Sequence, residues 1–196
     1  MPLVGLTGGM GAGKSTALEI LQTLGAAVLS TDAVVHELYA TDVDLRNQLI
    51  ARWGESVAPG EITDRALVAG RVFSDEAERR WLESLLWPKV AARVAAFVDE
   101  VRTLRPPPKA AVVEVPLLFE AGMEGFYDAT IAVIADEPLR RERAAGRGHA
   151  LADERASQQL SQAEKARRAS FTVHNNGTVS DLQAQLAAVL AEISSA

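Results

Sequence analysis

Short apolar runs alternate with helical patterns along this chain, an order that is typical of a mostly parallel α/β sheet. The runs that predict buried strands lie at residues 3–7, 26–30, 110–115, 130–135 and 171–173. Between the first two runs, Leu18, Leu21 and Leu24 recur at helical spacing and predict a helix that begins near Lys14. The N-terminal segment therefore predicts a strand, a helix and a second strand, in that order.

Helical periodicity without strands fills the middle of the chain. Residues 33–53 and 64–104 are predicted to be helical, and the second stretch carries an apolar stripe from Leu82 to Val101. We expect Pro88 to begin a new helix or to kink one within that stretch. The three tryptophans are predicted to lie in the core, at positions Trp53, Trp81 and Trp87.

In the C-terminal part of the chain, predicted strands again alternate with predicted helices. Residues 137–145 predict a helix, and the glycine- and histidine-bearing residues 146–152 are predicted to be mobile. Two helical stretches are predicted to follow, up to about residue 169. Thr178 to Asp181 match a capping box, which predicts the start of a closing helix with one apolar face.

Composition and charge narrow the classes of function. The chain has 196 residues and a net charge of −6, which argues against general nucleic-acid binding because that function needs a basic surface. It contains no cysteine, so disulfides and thiolate chemistry are excluded. No apolar run reaches the length of a membrane span, and the N-terminus carries no recognisable export signal. We therefore expect a cytoplasmic protein without membrane partners, and its oligomeric state is not predicted.

A glycine-rich loop directly after the first predicted strand carries the clearest chemical signal. It matches the pattern G-x-x-x-x-G-K-[ST] in full and precedes a predicted helix, which is the setting that a phosphate-binding P-loop requires. Its glycines let successive backbone N–H groups point inward at phosphate oxygens. The residues predicted to bind ATP here are Gly8, Gly9, Gly11, Ala12, Gly13, Lys14, Ser15 and Thr16.

Two side chains of the P-loop have distinct predicted roles. Lys14 is predicted to reach the β- and γ-phosphates as a point charge and to support catalysis. The Ser15 hydroxyl is predicted to bind Mg²⁺, the metal cofactor that accompanies ATP. The predicted fold class is an α/β fold of the P-loop NTPase or nucleotide-kinase type, with three layers (α/β/α), a mostly parallel sheet, a helical insertion and a lid.

Asp32 follows the second predicted strand, at the end where open α/β sheets bind their ligands. A carboxylate at that end can accept the proton of an attacking hydroxyl group. Aspartate is also a favoured N-cap, so Asp32 can instead cap a helix that begins at Ala33. The sequence leaves both roles open, and they do not exclude each other.

Arg140, Arg143 and Arg147 recur at spacings that place them on one face of a helix. Guanidinium groups suit phosphate, so these side chains could close over ATP as part of a lid and stabilise charge in the transition state. The alternative is a solvated basic face. The P-loop upstream favours a phosphate role for at least one of the three.

Several stretches, in order along nearly the whole chain, resemble the dephospho-CoA kinase family. They are residues 6–16, 30–33, 65–73, 87–88, 115–120, 162 and 175–177. The run Pro-Leu-Leu-Phe-Glu at 116–120 is far more specific to that family than the P-loop is. The resemblance implies ATP-dependent phosphorylation of the 3′-hydroxyl of the ribose of dephospho-CoA, which gives coenzyme A and ADP in the final step of coenzyme A biosynthesis.

The resemblance also implies roles for individual residues. Asp32 becomes the catalytic base and a substrate contact, Arg65 an acceptor-side contact, and Arg143 a catalytic lid arginine that faces the phosphates. The remaining substrate-binding residues that it implies are Pro116, Leu117, Leu118 and Glu120. The ATP-binding residues that it implies outside the P-loop are Arg140, Asn175 and Gly177.

The organisation that the resemblance implies is a kinase core of residues 1–60 and 109–196. A helical CoA-side insertion at about 60–108 and a lid at about 139–166 complete it. The chain departs from the family pattern at Trp87, where a histidine is usual, and at Leu151, where threonine is common. We therefore assign no role to Trp87.

Two other functions stay open as alternatives. One is another small-metabolite or nucleoside monophosphate kinase, which would share the same loop and lid. The other is a non-enzymatic P-loop nucleotide switch, but the guanine-selecting pattern Asn-Lys-x-Asp does not occur in the sequence.

Overall fold

The computed structural model describes residues 1–73, 75–145 and 159–195. Within them, five strands form one sheet in the order β2-β3-β1-β4-β5, and every neighbouring pair is parallel. The strands are β1 (Leu3–Gly8), β2 (Ala27–Ser30), β3 (Ala111–Glu114), β4 (Ala129–Ile134) and β5 (Phe171–His174). The predicted strands and the predicted α/β fold class are thus confirmed.

Helices connect the strands, as parallel pairing requires. The described helices are α1 (Lys14–Thr23), α2 (Thr31–Thr41), α3 (Val43–Trp53), α4 (Arg65–Val72), α5 (Glu76–Thr103), α6 (Glu137–Ala145), α7 (Gln162–Arg168) and α8 (Val179–Ser195). The predicted mobile stretch 146–152 lies outside the described residues, and so does most of the first helical stretch predicted after it. None of the described helices combines the length and the apolarity that crossing a membrane requires.

The chain divides into two compact units, and the first comprises Met1–Ser30 and Phe97–Ala196. Its core lies on the sheet, where Leu6 and Ile131 are completely buried together with Leu21 of α1 and Leu186 of α8. Strands that are covered in this way read as continuous apolar runs, which is why they were recognisable from the sequence.

The second unit, Thr31–Ala96, has a helical core of its own. Leu45 and Leu49 of α3 are completely buried there, and Trp53 packs edge-to-face against Trp81 with ring centroids 5.2 Å apart. The prediction that Trp87 is a core residue is wrong, because its side chain is 60% exposed. It follows the buried Leu86 by one residue, and one helical step turns it away from the apolar stripe.

Two helix boundaries differ from the predictions. The helix expected at 33–53 is divided at Asp42, whose carboxylate accepts a hydrogen bond from Leu45 N at 2.8 Å and so caps α3. Pro88, in contrast, does not begin a new helix, because α5 is continuous through it. Proline removes one backbone donor, and the buried Leu82 and Leu86 hold the preceding turns of α5 in place.

The predicted capping box is confirmed at the start of α8. The Thr178 hydroxyl accepts a hydrogen bond from Asp181 N at 3.2 Å, and the Asp181 carboxylate accepts one from Thr178 N at 2.8 Å. Each side chain therefore accepts a hydrogen bond from the other residue's backbone N–H group, which would otherwise have no acceptor within the helix.

A buried ion pair joins two distant parts of the first unit. Lys165 of α7 is completely buried, and its Nζ lies 2.8 Å from a carboxylate oxygen of Glu120. The same ammonium donates a hydrogen bond to the carbonyl oxygen of Pro116, and Glu120 accepts a further one from Leu160 N. Burial lowers the pKa of Lys165, and the hydrogen bond to Glu120 offsets part of that shift. The pair thus fixes the segment after β3 to the start of α7.

Replacing Thr178 by alanine should lower the free energy of unfolding by about 1 kcal/mol, the usual cost of losing an N-cap hydroxyl. Urea unfolding followed by circular dichroism measures this loss. Ser180→Ala, at an exposed position in the first turn of the same helix, is the matched control and should leave the midpoint unchanged. An equal effect of both substitutions would mean that the capping box adds nothing to stability.

Replacing Lys165 by methionine should lower the free energy of unfolding by about 3–5 kcal/mol, because the Glu120 carboxylate, whose side chain is only 13% exposed, then lacks a counter-charge. Adding Glu120→Gln removes that charge while keeping an oxygen for Leu160 N, so the double variant should regain part of the loss. Urea unfolding of the single variant, the double variant and the unmodified chain forms the test. A double variant less stable than Lys165→Met alone would contradict this account.

Candidate functional site

The P-loop lies at the carboxyl end of the central strand β1 and at the start of α1. Gly11 and Gly13 have φ angles of 72° and 94°, a region that side-chain-bearing residues rarely adopt. Gly13 is also the N-cap of α1, and glycine offers no side chain that could accept hydrogen bonds from the first-turn amides. The loop therefore curls into the start of α1, whose first-turn N–H groups have no capping side chain, and such a helix N-terminus is the usual setting of an anion site.

The charges around this helix terminus suit a phosphate. The first turn of α1 contains no acidic residue, so the positive end of the helix dipole is not neutralised there. Lys14 Nζ donates a hydrogen bond to the carbonyl oxygen of Gly9 at 3.4 Å, which holds the ammonium over the loop. Ser15, the next residue, is exposed, so its hydroxyl is accessible to a metal ion that accompanies the phosphates.

No group of three or more His, Cys, Asp or Glu side chains with metal-binding geometry occurs in the described ranges. Mg²⁺ in phosphoryl-transfer enzymes is usually held by one or two protein oxygens together with phosphates and water, so a dedicated cage is not required. Glu114 supplies a buried carboxylate at the carboxyl end of β3, beside Leu6 of β1 in the sheet register. Ser15 and Glu114 are thus oxygen donors of the kind that Mg²⁺ takes.

Side chains that follow β4 and β5 in the sequence make hydrogen bonds to the backbone of the P-loop. Arg140 Nε donates a hydrogen bond to the carbonyl oxygen of Met10 at 2.8 Å, and Asn175 Nδ2 donates one to the carbonyl oxygen of Ala12 at 2.9 Å. The side-chain oxygen of Gln159 accepts a hydrogen bond from Met10 N at 3.3 Å. These contacts bring the predicted ATP-binding residues Arg140 and Asn175 together with the loop.

Arg143 lies in the same group, but it contacts the loop only indirectly. Its Nη1 donates a hydrogen bond to the carbonyl oxygen of Asn175 at 3.1 Å. Gly177 follows two residues later, where a Cβ would approach the Asp181 carboxylate closely. Arg147, the third member of the predicted arginine face, lies outside the described residues, as do Leu151 and the central part of the predicted lid.

The segment after β3 contains the other predicted substrate-binding residues. Thr7 Oγ1 donates a hydrogen bond to the carbonyl oxygen of Pro116 at 3.2 Å, which ties this segment to β1 beside the P-loop. Leu117 is exposed, whereas Leu118 is completely buried and packs on Gly5. Glu120 is engaged by Lys165. Leu117 is therefore accessible at the surface and Pro116 partly so, while Leu118 and Glu120 support the segment from within.

Asp32 and Arg65 lie in the second compact unit. Helix α2 begins at Thr31, so Asp32 lies within its first turn; the alternative that Asp32 caps a helix starting at Ala33 is wrong. The Asp32 side chain is exposed. Arg65 begins α4, and its Nη1 lies 2.8 Å from Nδ1 of His36. His36 is one helical turn after Asp32, so Arg65 reaches the face of α2 that carries the carboxylate.

Three contacts around the site were not predicted from the sequence. The contact between Arg65 and His36 was not expected, because no local pattern in the sequence pairs these two residues. Lys165 carried no motif, and no local pattern could have paired it with Glu120. Gln162 was noticed only through the family resemblance; its amide bonds both the N–H and the carbonyl oxygen of Ala135, directly after β4.

Comparisons with known proteins show the family to which this chain belongs. A family model described as dephospho-CoA kinase matches residues 2–181. A dephospho-CoA kinase of Protochlamydia amoebophila is 34% identical over 97% of this chain and 95% of its own length, and one of Deinococcus radiodurans is 38% identical over 97% and 91%.

A solved structure gives the same result for the fold. The dephospho-CoA kinase from Campylobacter jejuni superposes with a TM-score of 0.71, at 23% identity, over 98% of this chain and 97% of its own. The P-loop kinase fold predicted from the sequence is therefore confirmed. Given the family match over most of its length, this chain belongs to the dephospho-CoA kinase family.

Proposed function

We propose that this enzyme transfers the γ-phosphoryl group of ATP to the 3′-hydroxyl of the ribose of dephospho-CoA. The hydroxyl oxygen forms a bond to the γ-phosphorus as the bond from that phosphorus to the β,γ-bridging oxygen breaks, which gives coenzyme A and ADP. Membership of the family makes the chain an ATP-dependent phosphotransferase. The choice of acceptor rests on the family and on the specific run at 116–120.

The observation that carries the nucleotide half of the proposal is the P-loop at the N-terminus of α1. Phosphoryl transfer depends on positioning and on neutralising charge rather than on covalent chemistry by the protein. Backbone amides of residues 8–16, the dipole of α1 and the Lys14 ammonium supply that neutralisation. Lys14 is assigned to the β- and γ-phosphates, where it stabilises the charge of the transferring group.

Mg²⁺ is proposed as the metal cofactor, with the Ser15 hydroxyl as its protein ligand and Glu114 as a partner through water. When bound, the ion would neutralise negative charge on the phosphate groups. The protein's part is to present the exposed Ser15 oxygen on the first turn of α1.

Asp32 is proposed as the base that accepts the proton of the attacking hydroxyl. It follows β2 by two residues, and its exposed carboxylate belongs to the helix face that Arg65 reaches through His36. An arginine beside the acceptor suits the phosphate groups of dephospho-CoA, because guanidinium binds phosphate through two parallel hydrogen bonds.

Arg143 and Arg140 are proposed to face the nucleotide, and the turn that contains Asn175 and Gly177 is proposed to lie on its adenine side. Pro116 and Leu117 are proposed to line the acceptor pocket, with Leu118 and Glu120 fixing their position. The organisation into a kinase core, a CoA-side insertion at about 60–108 and a lid at about 139–166 is retained as part of the proposal.

The test is incubation with ATP and Mg²⁺ and a panel of acceptors, read by mass spectrometry. The panel contains dephospho-CoA, nucleoside monophosphates and shikimate, and we expect a gain of one phosphate on dephospho-CoA alone.

Lys14→Ala should reduce turnover by about a hundredfold or more, the usual effect of removing a charge-stabilising contact. Lys109→Ala, an exposed lysine just before β3 and thus at the other end of the strands, is the matched control.

Phosphorylation of a different acceptor would overturn the proposed substrate while leaving the kinase assignment intact. Equal turnover by Lys14→Ala and Lys109→Ala would remove Lys14 from the catalytic role.

Asp32→Asn should slow the chemical step by about a hundredfold or more while leaving the affinity for ATP unchanged, because the amide cannot accept the hydroxyl proton. Single-turnover kinetics and equilibrium ATP binding separate the two effects. The control is Asp44→Asn, which removes an exposed carboxylate from the equivalent first turn of α3. If both substitutions change only the stability of the protein, Asp32 is a helix-stabilising residue and not the base.

A further inference from the structure

We propose that Asn175 is a positioning residue that acts on the nucleotide's phosphates through the backbone of the P-loop. The inference rests on the proposed nucleotide site and goes beyond it, because it assigns the Asn175 side chain to the loop and not to the base. Its basis is the hydrogen bond, buried in the structure, from Asn175 Nδ2 to the carbonyl oxygen of Ala12.

A phosphate-binding loop has two sets of backbone groups to satisfy. Where N–H groups face the anion, carbonyl oxygens of the loop face the protein and need donors of their own. Asn175 supplies the donor for Ala12 at 2.9 Å, and Arg140 supplies the donor for Met10 at 2.8 Å. Ala12 is completely buried, so water cannot easily replace the donor at its carbonyl group.

The contact also explains why position 13 requires glycine. Gly13 has a φ of 94°, and a Cβ built on it would overlap the side-chain nitrogen of Asn175. The amide of Asn175 therefore occupies the space that a side chain at the N-cap of α1 would fill. Since the amides that follow this N-cap form the anion site, Asn175 sets the shape of the loop where it binds the phosphates.

Asn175 is itself held at three points. Its backbone N–H donates to the carbonyl oxygen of Ile134, and its carbonyl oxygen accepts a hydrogen bond from Arg143. Its side chain donates to Ala12, and the residue as a whole is only 8% exposed. Asn175 thus links β4 and α6 to the P-loop through hydrogen bonds. Its side-chain amide nitrogen already donates to Ala12, which is a partner other than a nucleobase.

The test compares Asn175→Leu, which keeps the shape but removes the donor, with Gln185→Leu. Gln185 of α8 makes two hydrogen bonds to the backbone of His174, one residue before Asn175, and none of its hydrogen bonds reaches the P-loop. Calorimetry without acceptor gives the dissociation constants for ATP, GTP and inorganic tripolyphosphate, and thermal unfolding gives the midpoint of each variant.

In Asn175→Leu we expect binding of all three ligands to weaken by about tenfold, in keeping with one buried hydrogen bond lost. The ratio of ATP to GTP affinity should stay unchanged, since the base is not contacted. Gln185→Leu should lower the unfolding midpoint but leave all three affinities as they are.

Asn175→Ala serves as a second variant if leucine does not fit, and the same pattern is expected of it. An altered ATP to GTP ratio with unchanged tripolyphosphate binding would overturn the proposal and make Asn175 a base contact. Equal weakening in the Gln185 variant would also overturn it, because general loosening of the turn would then explain the loss. Phosphorylation of an unexpected acceptor would refute the proposed substrate but not this inference, and failure of the unmodified chain to bind ATP would overturn both.

Discussion

The site depends on one constraint on the hydrogen bonds of the P-loop backbone. Its N–H groups must be left for a ligand, while its carbonyl groups must accept hydrogen bonds from the protein. The N–H groups can converge on a phosphate only if the carbonyl groups find donors on the other side. For Met10 and Ala12 those donors come from α6 and from the turn after β5, through Arg140 and Asn175. The order of strands makes this possible, because β1 lies beside β4, and β4 lies beside β5. The carbonyl oxygen of Gly9 accepts instead from Lys14 Nζ, within the loop itself.

The same edge of the sheet is stiffened by buried polar contacts. Lys165, Glu120, Thr7 and the carbonyl oxygen of Pro116 form one network behind the segment that follows β3. A buried ion pair contributes little net stability, but removing one partner is costly, so such a network holds its segments in a single arrangement. The exposed Leu117 is thereby presented from a rigid base rather than from a free loop.

The sequence predicted what depends on local pattern. Apolar runs gave the strands, the glycine-lysine spacing gave the P-loop, and the capping box at Thr178 gave the start of α8, because each is specified by neighbouring residues. Contacts between distant residues could not be predicted in this way. The pairing of Lys165 with Glu120, the bond from Asn175 to Ala12 and the continuity of α5 through Pro88 all depend on packing that no local signal encodes.

We propose that a triphosphate binds to backbone amides of the loop at residues 8–16, at the start of α1. A crystal structure with a non-hydrolysable ATP analogue and Mg²⁺ tests it directly. We expect the β- and γ-phosphates to lie within hydrogen-bond distance of these amides and of Lys14 Nζ, with the hydrogen bonds from Arg140 and Asn175 to the loop intact. A triphosphate bound elsewhere, or a loop whose carbonyl groups turn toward the ligand, would contradict it.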